Sequence, residues 1–303
     1  LYRKLVGMGV SDYLVKPLQK EQFSNDIAAT LLEQIGATGS RLIVMMGAKG
    51  GVGVTALAAG LAWSVSDALE QKTFLLDAAG GWSSLSVGLD FEPSTTLSEA
   101  VRAAVDDNED SLSRMVIKSS EKLSVLGSGG DVMLDDSVEA SSYETLLDHL
   151  MNTHPVVILD LSGNATAAVK RIALKKANEI LLITAPTLSS VRAARTLLQE
   201  VKELRGGSND EVEIIVNMQG FAPKHEVPKT QIEEGLERKP ALIIPFDPDL
   251  FVKTESEAAK LGEQKSGAQI AEKLMQISEK VLAVKSSEDA SSASDEAKKQ
   301  GIG

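Results

Sequence analysis

One short run constrains the middle of this chain more than any other: Gly47-Ala48-Lys49-Gly50-Gly51-Val52-Gly53-Val54-Thr55. It follows the apolar stretch Leu42-Ile43-Val44-Met45-Met46 and precedes a helix-forming stretch from Ala56 to Val65. Strand, glycine-rich turn and helix in that order are the setting of a phosphate-binding loop. The glycines let the backbone turn tightly enough to aim several N–H groups at one anion. The positive end of the following helix adds to the attraction. On this reading Gly50, Gly51, Val52, Gly53, Val54, Thr55 and Ala56 form the cradle, and Thr55 sits where a hydroxyl would hold Mg2+. The position before Thr55, where such loops carry a lysine for the outer phosphates, is Val54. Valine can neither donate a hydrogen bond nor carry charge.

The rest of the central region repeats the alternation. Strand candidates are Leu42–Met46, Thr73–Leu76, Leu123–Leu126, Val156–Leu159, Ile180–Thr184, Val212–Val216 and Leu242–Ile244. Most are continuous apolar runs, as expected of strands covered on both faces. Between them lie helical patterns, such as the stripe Leu188, Val191, Ala194, Leu197, Leu198, Val201 and Leu204. The expected fold class is α/β, a doubly wound, mainly parallel sheet with helices on both faces, spanning residues 41–284. Ligands of such sheets sit at the C-terminal strand ends, where the glycine loop lies.

The two flanks read differently. In residues 1–36, Asp12-Tyr13-Leu14-Val15 predicts a strand end broken by Lys16-Pro17, and Phe23, Ile27, Leu31 and Ile35 predict a helix. Residues 36–40, Gly-Ala-Thr-Gly-Ser, predict a linker. The tail, residues 285–303, is Ser, Ala, Glu, Asp and Lys with Ile302 as its single large apolar residue, a composition that predicts disorder. The first residue is Leu, which points to a piece of a longer chain.

Composition narrows the chemistry. A formal net charge of −12 over 303 residues disfavours nucleic acid and anionic lipid as partners. The sequence has no cysteine, which excludes disulfides, thiolate metal sites and cysteine nucleophiles, and its 3 His show no ligand spacing. No apolar run reaches membrane-spanning length, and no basic stretch with an apolar core marks a signal peptide. These features suit a cytoplasmic protein.

Two acids end strands near the loop: Asp77 after Phe74-Leu75-Leu76, and Asp160 after Val157-Ile158-Leu159. Acids so placed either hold Mg2+ and its waters or merely begin turns. Asn217 follows the strand Val212–Val216; its carboxamide either pairs with a purine edge or serves a turn. Pro245, Phe246 and Asp247 lie after the last strand, where they either wall a base pocket or form a rigid exit turn set by Pro245 and Pro248.

The run Lys49-Gly50-Gly51-Val52-Gly53-x-Thr55 resembles the deviant Walker A loop of the ParA/MinD family of P-loop ATPases. The resemblance covers about residues 41–284. It implies ATP or ADP with Mg2+ as cofactors. It also implies a homodimer sandwiched around nucleotide, in which Lys49 reaches the partner's phosphates. Asp77 matches the switch I acid, Asp160 the Walker B acid and Asn217 the adenine-contacting residue. Lys49, Asp77 and Asp160 would be the catalytic set, with Thr55 and Asp160 on the metal. A narrower resemblance, to the CpaE/TadZ-type pilus assembly branch, rests on three features. They are the loss of the loop lysine, the run Ile244-Pro245-Phe246-Asp247-Pro248-Asp249-Leu250-Phe251, and the pieces Val227-Pro228-Lys229 and Leu236-Glu237-Arg238-Lys239-Pro240. That branch carries a receiver-like domain, whose last strand Gly9–Leu18 resembles. It implies pilus secretion and assembly proteins as partners, membrane contact only through those partners, and a place at the cell pole.

The departures bear on activity. Val54 predicts weak or absent hydrolysis, since a lost charge-assisted contact to phosphate costs roughly 1.5–3 kcal/mol. Residues 78–82 lack a second switch I acid, and Leu161-Ser162-Gly163 replaces a proline-containing switch II. The amphipathic stretch Ile270–Ile277 has mixed charge, and its apolar stripe reads as core packing rather than a membrane anchor. An active dimeric ATPase using Lys49 and a scaffold without ligand are the other two readings of the same residues.

Overall fold

Eight strands share one sheet, in the order β3-β4-β2-β5-β1-β6-β7-β8. They are β1 (Arg41–Gly47), β2 (Thr73–Asp77), β3 (Ile117–Lys118), β4 (Leu123–Leu126), β5 (Val156–Leu161), β6 (Glu179–Thr184), β7 (Val212–Gln219) and β8 (Leu242–Pro245). The structure is a computed structural model, and it describes residues 40–78, 84–129, 138–162 and 165–282. Every strand pair is parallel except β3 with β4. The helices are α1 (Val54–Ala68), α2 (Leu85–Gly88), α3 (Leu97–Val105), α4 (Glu109–Met115), α5 (Ala140–Thr153), α6 (Ala167–Lys176), α7 (Leu188–Leu204), α8 (Lys229–Leu236), α9 (Pro248–Ser256) and α10 (Lys265–Leu282).

Continuous apolar strands are buried here because both faces of the sheet are covered. Alternate side chains of β1 go to opposite layers. Leu42, Val44 and Met46 pack with residues of α3, α5, α6, α7 and α8. Ile43 and Met45 pack with Leu57, Leu61 and Val65 of α1 and with Ile270 and Leu274 of α10. Central β1 lies between β5 and β6, so its C-terminal end, where the glycine run begins, is flanked by parallel strands on both sides.

The doubly wound, mainly parallel sheet expected from the sequence is present. β3 was missed because two residues are too few to form a period. β7 continues past Val216 to Gln219, so Asn217 lies within the strand rather than at its end. Leu188 departs from the predicted stripe of α7: it is 57% exposed, while Val191, Ala194, Leu198 and Val201 are buried. The stripe of α10 is core packing, with Ile270, Ala271 and Leu274 buried in the second layer. No described helix is long and apolar enough to cross a membrane. The receiver-like segment (1–36) and the tail (285–303) lie outside the described residues.

His154 closes α5 and stands edge-on to Phe74, with ring centroids 4.9 Å apart. Burial, with help from the Lys72 charge, lowers its pKa from the ordinary 6.5 to about 4. A depressed histidine contributes stability that is full above 6.5 and is lost as pH falls toward 4. The wild-type melting temperature should therefore fall between those limits, and His154→Gln should flatten that slope. Parallel pH profiles of the two proteins would contradict this.

Candidate functional site

The glycine run leaves β1 at Gly47 and enters α1 at Val54. Ala48 N donates to Ile183 O at 2.8 Å, pinning the loop to β6. Gly53 has φ 91, a left-handed conformation that disfavours any side chain. A Cβ there would also lie 2.6 Å from Asn217 Nδ2. A Cβ on Gly47 would lie 2.9 Å from both Lys49 O and Val52 Cγ2 and 3.0 Å from Val54 Cγ2. The loop therefore curls back over its own first glycine. Val54, only 5% exposed, tucks its methyl groups inside that curl. Lys49 is exposed, and its side chain makes no ion pair among the described residues.

Asn217 belongs to the support of the loop. Its Nδ2 donates to Val52 O at 2.9 Å, and its Oδ1 accepts from Met218 N at 2.8 Å. It is buried, so β7 braces the loop from below. The turn reading left open by the sequence is thus a brace between two distant elements.

The two acids are neighbours: Asp77 and Asp160 are partnered across β2 and β5. Both are fully buried. Asp77 Oδ2 accepts from Ser128 N at 3.3 Å. Asp160 Oδ1 accepts from Ser162 N at 3.0 Å, whereas its Oδ2 has no hydrogen-bond partner. Burial raises the Asp160 pKa above its ordinary 3.8, against the lowering influence of the Thr55 and Ser162 hydroxyls. Those two hydroxyls lie 3.1 Å apart.

Above the loop opens a cavity of about 750 Å³. Its wall includes Gly47 through Ala56, Ser162, Lys170 and Asn217, and, on the far side, Pro245, Phe246 and Asp247. Phe246 is 40% exposed and meets Phe221 edge-on with centroids 5.2 Å apart. Asp247 is engaged: Oδ1 accepts from Leu250 N at 3.0 Å and Oδ2 from Ser266 Oγ at 3.0 Å. The structure thus brings the loop, Thr55, Asn217 and the Pro245–Asp247 turn to one cavity. Asp160 stands directly behind Thr55 and Ser162, off the wall, and Asp77 lies one strand further away. The sequence reading missed Lys170. The signal was a lysine in the first turn of the helix that follows the Asp160 strand.

An uncommitted carboxylate oxygen beside two hydroxyls at a glycine-rich loop fits a divalent cation. No group of three or more His, Asp or Glu that could hold a metal occurs among the described residues. The donor set therefore suits Mg2+, which keeps waters and phosphate oxygens in its shell, better than a cage-bound metal.

The sequence matches the AAA domain family over residues 40–214, more than half of the chain. The chain belongs to that family. No curated protein matches it. Among solved structures, this AAA domain is similar to MinD of Pyrococcus horikoshii in complex with Mg-ADP, at 19% identity and a TM-score of 0.68, covering 82% of this chain and 99% of that one. A ParA family ATPase from Chlorobium tepidum gives 22% identity and a TM-score of 0.65, covering 80% of this chain and 98% of that one. An ATP complex of Cyanothece McdA gives 17% and 0.63, covering 82% and 98%. At these identities the likeness shows the fold: this AAA domain has the ParA/MinD P-loop architecture.

The buried carboxyl makes a prediction for the unliganded AAA domain. A raised carboxyl pKa means a stability contribution that is full at low pH and lost as pH rises through the folded value. Asp160→Asn keeps an acceptor for Ser162 N and removes the buried charge. It should raise the melting temperature at neutral pH in the absence of Mg2+, with the gap to wild type closing on acidification. A lower melting temperature for Asp160→Asn at pH 7 would contradict the assignment.

Proposed function

We propose that this protein is a nucleotide-binding positioning factor of ParA/MinD type. It would bind ATP with Mg2+, hydrolyse it weakly or not at all, and serve assembly or polar localisation of a tight-adherence pilus machine. One observation carries the reading: a braced glycine loop opens onto a large cavity, with Thr55 on its wall and an unpartnered Asp160 oxygen behind it. Backbone N–H groups of Gly50 to Thr55 would hold the phosphates. Thr55 would hold Mg2+ directly, with Asp160 acting through the Thr55 and Ser162 hydroxyls or a water. Bound Mg2+ supplies charge neutralisation at the phosphate oxygens. The Pro245–Asp247 turn and the exposed ring of Phe246 would wall the base. MinD in complex with Mg-ADP and McdA in complex with ATP share this fold, which supports the same class of ligand here.

Weak hydrolysis follows from Val54. Its methyl groups occupy the inside of the loop, so position 54 contributes no charge to the outer phosphates. Lys49 is exposed, as a residue aimed at a second copy should be, which supports a homodimer. The pilus role, its assembly partners and the cytoplasmic, polar location rest on the motif resemblance. Membrane contact would pass through those partners.

Titration calorimetry tests the core of the proposal. Wild type should bind Mg-ATP, release phosphate at the rate of buffer, and gain about ten- to hundredfold in affinity in Val54→Lys. The absence of both heat and thermal shift at millimolar Mg-ATP would overturn the nucleotide reading. Turnover that vanishes in Lys49→Ala would replace it with an active dimeric ATPase.

A further inference from the structure

Lys170 occupies a position in the cavity that the motif resemblance does not assign. It lies in the first turn of α6, where its backbone N donates to Thr166 O at 3.0 Å. Its side chain is half-buried and lines the same cavity as Gly50 to Thr55, together with Ser162. Its side chain makes no hydrogen bond or ion pair among the described residues. Elsewhere on the same helix the lysine chemistry is already used: Lys176 pairs with Glu144 at 3.0 Å and Asp148 at 2.8 Å.

The charges on the cavity wall sharpen the contrast. They are Lys49, Lys170, Asp247 and Glu255. Asp247 is engaged with Leu250 and Ser266 beyond the loop. Lys49 is exposed. Lys170 is thus the half-buried cation on the wall of the cavity. An ammonium with no counter-charge among the described residues is available to an anionic ligand in that cavity. The register explains how it arrives there. β5 runs beside β1, pairing Met45 with Asp160 and Met46 with Leu161, so the chain leaving β5 toward α6 starts next to the loop.

We propose that Lys170 is the counter-charge for the outer phosphates of the bound nucleotide, supplying from α6 the cation that Val54 removes from the loop. This deepens the nucleotide-binding reading and rests on it. An ammonium on a four-carbon stem is a point charge that needs no fixed fork geometry, so it can serve phosphate from outside the loop. Moving the cation from the loop to a neighbouring helix keeps the attraction for a triphosphate while giving up the fixed alignment that hydrolysis uses. It also predicts a preference: the side chain acts on the outer phosphates and is indifferent to a nucleotide that lacks them.

The test is calorimetry of wild type, Lys170→Ala and Lys170→Arg with Mg-ATP, and competition by AMP. Lys170→Ala should lose about tenfold or more in Mg-ATP affinity, leave AMP affinity unchanged, and show a weaker dependence on salt. Lys170→Arg should recover most of the loss. The melting temperature of unliganded Lys170→Ala should match wild type, which separates lost contact from lost fold. Wild-type Mg-ATP affinity in Lys170→Ala, or an equal loss for Mg-ATP and AMP, overturns the assignment while leaving the nucleotide reading in place. Failure of wild type to bind Mg-ATP overturns both.

Discussion

The site depends on one brace: the hydrogen bond from Asn217 Nδ2 to Val52 O, which ties β7 to the glycine loop. A loop of Gly50, Gly51 and Gly53 has more backbone freedom to lose on folding than other sequences of its length. It can present a fixed ring of N–H groups only if its neighbours over-determine its shape. Three contacts do so. Ala48 N is held by Ile183 O on β6, Val54 fills the hollow above Gly47, and Asn217 stands against Gly53 so closely that no Cβ fits between them. Each comes from a different element, so the loop's shape is fixed by the sheet and by α1 together. Loss of the Asn217 contact would leave buried polar groups unpaired, at a cost of about 1–3 kcal/mol.

The same packing explains the electrostatics. Val54 closes the loop with hydrocarbon, where charge would otherwise stand. Asp160 and Asp77 sit side by side on adjacent parallel strands, in a region dry enough to raise the Asp160 pKa. Anionic groups are therefore collected beneath a loop that has no charge at position 54. The arrangement is poised for a cation between carboxylate and phosphate, and the proposed role of Lys170 adds a second cation from the side.

Much of this was legible in the chain. Continuous apolar runs gave seven of the strands, because a sheet covered on both faces leaves no polar alternation to obscure them. The glycine spacing gave the loop, because the backbone conformation of Gly53 leaves little choice of residue. What stayed hidden depended on contacts between distant segments. Asn217 lies 165 positions from Val52, and nothing local says that its carboxamide points down to the loop rather than out to a base. Leu188 keeps the period of α7 yet sits at its exposed first turn, where the core has already ended. Lys170 belongs to a helix with two further lysines, Lys175 exposed and Lys176 ion-paired, and only the register of β5 against β1 brings its first turn to the cavity. β3 consists of two residues and is held by pairing with β4 alone.

The central claim is that main-chain amides, without a lysine at position 54, suffice to hold a triphosphate at the end of this sheet. A crystal structure grown with Mg2+ and a non-hydrolysable ATP analogue addresses it most directly. The account predicts phosphate oxygens within about 2.7–3.2 Å of the N–H groups of Gly50 to Thr55, with Thr55 Oγ1 on the metal and Asn217 still bonded to Val52. A loop that stays empty with the analogue bound elsewhere, or one that must break the Asn217 brace to admit phosphate, would contradict it.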